Sequence, residues 1–113
     1  MKIITEKITI AELKEMSGRM FGNLVKAVVD TEKGIMAIDA ELHSDEEALM
    51  LENGSKQENL WGINLYPELE GEDFVEFDSM INIRPAQNNR SRGVEDEETQ
   101  KRIIKIVDKL TTK

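Results

Sequence analysis

Residues 24–42 read LVKAVVDTEKGIMAIDAEL, and this stretch decides the fold. Two apolar, β-branched runs, Leu24 to Thr31 and Ile35 to Leu42, flank the turn Glu32-Lys33-Gly34. A three-residue connection with Gly at its end, set between two such runs, predicts an antiparallel β-hairpin. A hairpin cannot stand alone in water, so the rest of the chain must supply more strands and a covering layer.

Upstream, Ile3, Ile4 and Ile8 mark a short strand or ordered lead-in over residues 2–8. Thr9 and Glu12 form a capping box, and Ile10, Leu13, Met16 and Met20 follow the helical period. The first helix is expected over 10–20, stopped by Gly22-Asn23. Downstream, Ser44-Asp45-Glu46-Glu47 reads as a second capping box, opening a short helix that ends at Asn53-Gly54. Leu60 to Tyr66 reads as a strand closed by Pro67. Phe74 to Arg84 alternates, with Val75, Phe77, Ile81 and Ile83 on one side and Glu76, Asp78, Asn82 and Arg84 on the other. That pattern predicts a half-buried antiparallel strand, bent near Ser79. A polar loop over 85–93 leads to a third helix, about Asp96 to Thr111, with acids in its first turn and Lys or Arg later. Ile103, Ile104, Val107 and Leu110 form its apolar stripe, and Ile106 either widens that stripe or meets another subunit. The expected architecture is α+β: one two-layer domain over 1–113, with a mainly antiparallel sheet of about four strands and three helices largely on one face.

Composition narrows the function. The chain has 113 residues, 15 Lys+Arg, 23 Asp+Glu, one His and no Cys, for a formal charge of -8. Without Cys there is no disulfide, Cys-ligated zinc or thiol nucleophile. The negative charge opposes nucleic acid, and no apolar run is long enough to span a bilayer. The N-terminus has no long apolar core of a signal peptide, so a cytoplasmic protein is expected. The sequons Asn53-Gly54-Ser55 and Asn89-Arg90-Ser91 then carry no meaning. There is no P-loop, GxGxxG fingerprint or GxSxG elbow, and no cofactor is expected.

Three places hold candidate chemistry. In Asp39-Ala40-Glu41-Leu42-His43, a strand would project Asp39, Glu41 and His43 together, a weak candidate set for a divalent metal against the simpler reading of a solvated strand face. The polar side of 74–84 offers Glu76, Asp78, Asn82 and Arg84, and Asn64 joins it if the strands share a sheet. Carboxylates there serve as acid and base only if burial separates their pKa values. The strongest candidate is the loop 84–93, which carries three Arg and no acid, whereas 68–78 carries six acids and no base. Arg84, Arg90 and Arg92, with Asn88 and Asn89, suit a carboxylate or phosphate, since guanidinium forks bind such groups bidentately. The competing reading is that these arginines pair with the protein's own acids and pin the loop.

The segments Trp61-Gly62-Ile63-Asn64-Leu65-Tyr66-Pro67, Asp78-Ser79-Met80-Ile81-Asn82-Ile83-Arg84-Pro85 and Asn89-Arg90-Ser91-Arg92-Gly93-Val94-Glu95-Asp96 resemble a family of small uncharacterised prokaryotic proteins, a domain of unknown function. The resemblance implies a stand-alone prokaryotic protein and no particular activity. The residues themselves favour a binding or interaction module, whose loop 84–93, with Asn64 and Asn82, holds a small anion, an acidic partner or a neighbouring subunit. The alternatives are a small enzyme built on Asp39, Glu41 and His43, and a structural homo-oligomer.

Overall fold

A computed structural model describes residues 1–113. In chain order the elements are β1 (Lys2–Ile4), β2 (Ile8–Thr9), α1 (Ile10–Arg19), β3 (Val25–Asp30), β4 (Ile35–Ile38), α2 (His43–Glu52), β5 (Leu60–Leu65), β6 (Val75–Glu76), α3 (Glu97–Leu110) and β7 (Thr111–Thr112). Single 3-10 turns occupy Gln57–Asn59, Gly71–Asp73, Met80–Asn82 and Pro85–Gln87. The fold is α+β.

The hairpin forms as expected. Its turn is fixed by buried Asp30, whose Oδ1 accepts the Glu32 and Lys33 N–H groups at 2.9 Å each. Its other oxygen accepts the Ser55 hydroxyl at 2.6 Å, and Gly34 supplies the positive φ of 69°. The antiparallel sheet has five strands in the order β1-β4-β3-β5-β6, one more than expected, because residues 2–4 pair with β4. A two-stranded parallel pair, β2 with β7, ties the start of α1 to the end of α3.

Alternation assigns the two faces. Val25, Ala27, Val29, Met36, Ile38, Trp61, Ile63 and Leu65 point to one side and pack on Leu13 and Met16 of α1 and on Ile103, Ile106, Val107 and Leu110 of α3. Each large aliphatic buried there contributes about 2 kcal/mol. Val28, Ala37 and Leu60 point to the other side and pack on Met50 of α2 and on Ile81. Two helices therefore share a face, and α2 lies opposite, so the arrangement departs from three helices on one side. Glu46 and His43 join Met50 on the buried side of α2, which leaves that helix without the apolar stripe that would mark its orientation.

Two further expectations are corrected. β4 stops at Ile38, not Leu42, because Asp39 adopts φ 70° and turns the chain into α2, which starts at His43. Its cap is Leu42, with no side-chain hydrogen bond, so the box expected at Ser44–Glu47 does not form. The strand expected over 74–84 keeps only Val75–Glu76, because beyond it the Asn82 side chain replaces strand pairing. Asn82 Oδ1 accepts the Gly62 N–H at 2.8 Å and its Nδ2 donates to the Gly62 carbonyl at 2.9 Å.

The cap expected at Thr9 forms, and α3 takes Asp96, expected as its first residue, as its cap. Thr9 Oγ1 accepts the Glu12 N–H at 3.1 Å, and Asp96 Oδ2 accepts the Thr99 N–H at 3.0 Å. Ile106 is buried and widens the face of α3.

Candidate functional site

Strand register builds a polar row across the end of the sheet face that α2 covers. Lys26 pairs with Asn64 across β3–β5, and Asn64 pairs with Glu76 across β5–β6. Pairing of β3 with β4 ends at Ala27–Ile38, and Asp39 lies one position past it, in the left-handed turn that leaves β4. Lys26, Asn64 and Glu76 thus follow one another over three strands, with Asp39 just past the end of the fourth, and side chains opposite one another in a sheet share a face. Asn64 Nδ2 donates to Glu76 Oε1 at 2.8 Å, and the Tyr66 hydroxyl donates to the same oxygen at 2.8 Å. At the rim, Arg92 Nε donates to Asp78 Oδ1 at 2.6 Å.

Two ionisable residues of α2 lie above this row. His43 is buried, with Nε2 2.7 Å from the Ile63 carbonyl, so Nε2 carries the hydrogen. Burial lowers its pKa; the Ile63 hydrogen bond opposes that, and Lys26 reinforces it. Glu46 is 0% exposed, and burial pushes its pKa up to about 9, against the opposing pull of the Ala40 N–H and Lys26. Its Oε2 accepts the Ala40 N–H at 3.2 Å. Glu46 therefore stays protonated through neutral pH.

Hydrogen bonding in this region is unbalanced. Asp39 Oδ1, Glu46 Oε1 and Asn64 Oδ1 are buried without a partner. All three belong to residues on the row or directly above it. The N-terminal ammonium lies 3.8 Å from Asp39 Oδ2, whereas Lys26 holds its Nζ 5.0 Å from the centre of the Phe21 ring and makes no ion pair. A protonated Glu46 carries its own hydrogen on Oε1, so the acceptors left without donors are Asp39 Oδ1 and Asn64 Oδ1, each at a cost on the order of 1–3 kcal/mol.

The loop 84–93 is built differently. The Arg84 guanidinium lies 4.2 Å over the Trp61 ring and donates to the Leu60 carbonyl at 2.6 Å and to the Gln57 carbonyl. Asn89 Nδ2 donates to the carbonyls of Asn82 at 2.7 Å, Ser91 at 3.2 Å and Gly93 at 2.8 Å, while its Oδ1 accepts the Glu95 N–H at 2.8 Å. Asn82 adds a bond to the Arg92 carbonyl at 2.9 Å. Glu95 Oε2 accepts the N–H groups of Arg90 at 2.6 Å and Ser91 at 3.0 Å, and these backbone bonds, that of Ser91 foremost, hold its carboxyl below the usual range. The anion facing this loop is thus the chain's own Glu95, as Asp78 is for Arg92. Asn88, at φ 61°, makes the turn, and the Arg90 guanidinium has no partner.

Of the residues singled out in the sequence, the structure brings Asn64, Glu76, Asp78 and Arg92 to one place. Arg84, Asn82 and Asn89 are turned into the loop's own framework. Asp39, Glu41 and His43 do not share a strand face, and no three His, Asp or Glu side chains converge in metal-holding geometry. Lys26 and Glu46 were missed. Lys26 had a signal, since it is the one charge inside the apolar run Leu24 to Val29.

Gly62 shows how the three quoted segments interlock. A Cβ there would lie 2.5 Å from Ser79 Cβ, so only Gly lets the 78–82 segment sit on β5.

Fold and polar row together define a small α+β domain that concentrates its buried ionisable groups on one side of an antiparallel sheet. The chain belongs to the family described as Protein of unknown function (DUF5674), whose model matches residues 2–110. Comparison with curated proteins and with solved structures gave no match. No helix is long and apolar enough to cross a membrane.

Proposed function

We propose that this chain is a binding module whose recognition surface is the polar row Asp39–Lys26–Asn64–Glu76, with Tyr66, Asp78 and Arg92 at its rim, and that its ligand presents hydrogen-bond donors. One observation carries the reading: two buried acceptors at this end of the sheet, Asp39 Oδ1 and Asn64 Oδ1, lack donors. A donor-bearing ligand relieves that deficit, together with a swing of Lys26 away from Phe21. Arg84 and Arg92, expected to grip an acidic ligand, are instead occupied within the chain, which favours this surface over the loop 84–93. Catalysis has less support, because His43 is buried and held by a backbone carbonyl.

The test is thermal. Donor-rich probes (arginine, spermidine, glucose) and acceptor-only probes (phosphate, citrate) are added to the wild type, to Asn64→Leu and to Arg90→Ala. A ligand that binds only the folded state raises Tm. The reading expects at least one donor-rich probe to raise Tm in the wild type and in R90A, with a smaller rise in N64L. It is overturned if only phosphate or citrate raises Tm and R90A abolishes the effect, or if no probe raises it.

A further inference from the structure

Asn53-Gly54, which the binding surface leaves unused, is the only Asn-Gly pair in the chain. It forms the end of α2. Asn53 is the cap and is exposed, with its Nδ2 donating to the Leu49 carbonyl at 2.8 Å, and Gly54 follows at φ 92°. The Gly54 N–H reaches the Leu51 carbonyl at 3.2 Å and the Ser55 N–H reaches the Met50 carbonyl at 3.0 Å, a Schellman end. Here the chain is anchored twice to the hairpin turn. The Ser55 hydroxyl donates to Asp30 Oδ2 at 2.6 Å, and Lys33 Nζ donates to the Asn53 carbonyl at 3.2 Å. A Cβ on Gly54 would lie 3.2 Å from Lys33 Nζ, so the ammonium group sits against the bare Gly54 Cα. Gly54 has no side chain to screen its nitrogen, and a cation rests on the carbonyl of the same peptide bond. That nitrogen becomes nucleophilic by losing its proton, and a positive charge at the carbonyl oxygen stabilises the anion that results.

We propose that Asn53 is a site of spontaneous deamidation in the folded protein, with Lys33 as the group that promotes it. The Gly54 nitrogen attacks the Asn53 side-chain carbonyl carbon, its proton leaves with the side-chain nitrogen as ammonia, and a cyclic succinimide closes. Water then opens the ring at either carbonyl, giving aspartate or isoaspartate. An opening step comes first, because the Leu49 and Leu51 carbonyls occupy both reacting groups. Helix ends open locally at small cost. The opening falls on the helix side, since Ser55 and the Asn53 carbonyl are held by the hairpin. The product gains a negative charge and loses the amide donor to Leu49. As isoaspartate it also lengthens the backbone by a methylene where α2 is tied to the hairpin.

Incubating the full chain in mildly alkaline buffer and following each Asn by peptide mass spectrometry, with electron-transfer fragmentation to separate the two products, tests this. Conversion is expected first at Asn53, with both aspartate and isoaspartate formed, and the converted protein should melt at a lower temperature. Lys33→Met should slow the reaction about fivefold in the folded protein, and Lys33→Arg, which keeps the charge, should retain most of the rate. In guanidinium chloride, where Lys33 no longer rests on Asn53, all three proteins should convert at one rate. The inference is overturned if Asn53 stays intact in the folded chain while it converts in the unfolded one, or if another Asn converts first. It is equally overturned if folded K33M converts as fast as the wild type or faster, or if K33R is as slow as K33M.

Discussion

Replacing Glu46 by Gln should make the protein more stable at neutral pH, although it alters a buried side chain. The folded-state pKa is raised from 4.5 to about 9, mainly by burial. Between those values the folded chain holds a proton that the unfolded chain has released. The folded state therefore binds more protons, and its stability falls as pH rises through this window. Each pH unit costs about 1.4 kcal/mol, so by pH 7 the ordinary carboxyl costs about 3 kcal/mol relative to a group that never ionises. Gln keeps the shape and an oxygen for the Ala40 N–H but has no proton to lose. The variant and the wild type should be about equally stable near pH 4. They should then diverge until E46Q is ahead by up to about 3 kcal/mol at pH 7, or on the order of 10 °C in Tm for a chain of this size. Urea denaturation of both proteins at several pH values between 4 and 8 reads this difference directly. If Glu46 were instead an ionised partner of Lys26, E46Q would be the less stable protein at pH 7. That result, or two parallel stability curves, refutes the argument.

Other changes test the framework around the row. Gly62→Ala should cost about 1–3 kcal/mol in urea denaturation by driving a Cβ into Ser79, and Ser79→Gly in the same chain should recover part of it. Asn82→Ala removes two bonds to Gly62 and one to the Arg92 carbonyl, so a loss of about 3 kcal/mol and faster proteolysis within 84–93 are expected. Arg84→Ala should cost about 2 kcal/mol through its stack on Trp61 and its carbonyl contacts, whereas Arg90→Ala should fall within about 0.5 kcal/mol of the wild type.

The hairpin, the helices α1 and α3 and the α+β class were readable from the chain because each rests on local chemistry: a turn with Gly34, a cap at Thr9, the acid-to-base charge order of α3, and apolar periodicity. The side of the sheet that α2 takes was not, because two of its buried residues, His43 and Glu46, are ionisable and hide the stripe. The alternation Asp39, Glu41, His43 imitated a strand, and only the left-handed turn at Asp39 breaks it. In 74–84 the alternation was real but the pairing was not, since a side chain, Asn82, does the work of a strand backbone. Asn64 and the carboxylates near it were picked out from alternation alone. The place of Lys26 beside Asn64 needed the register of β3 on β5, which depends on contacts distant in sequence. The charge reversal at 84–93 was correctly seen, but its resolution lay in Glu95 and Asp78, whose geometry no local pattern encodes.

The location of the binding surface is the central claim, and a chemical-shift map of isotope-labelled protein, titrated in turn with arginine, spermidine and glucose and separately with phosphate, tests it most directly. The account predicts that at least one of arginine, spermidine and glucose produces its largest changes at the Asn64 side-chain amide and the backbone amide of Lys26, while phosphate leaves Arg90 to Gly93 nearly unmoved because Glu95 already holds the N–H groups of Arg90 and Ser91. Saturable phosphate shifts concentrated at Arg90 to Gly93, with the row silent to all three donor-rich probes, would contradict it.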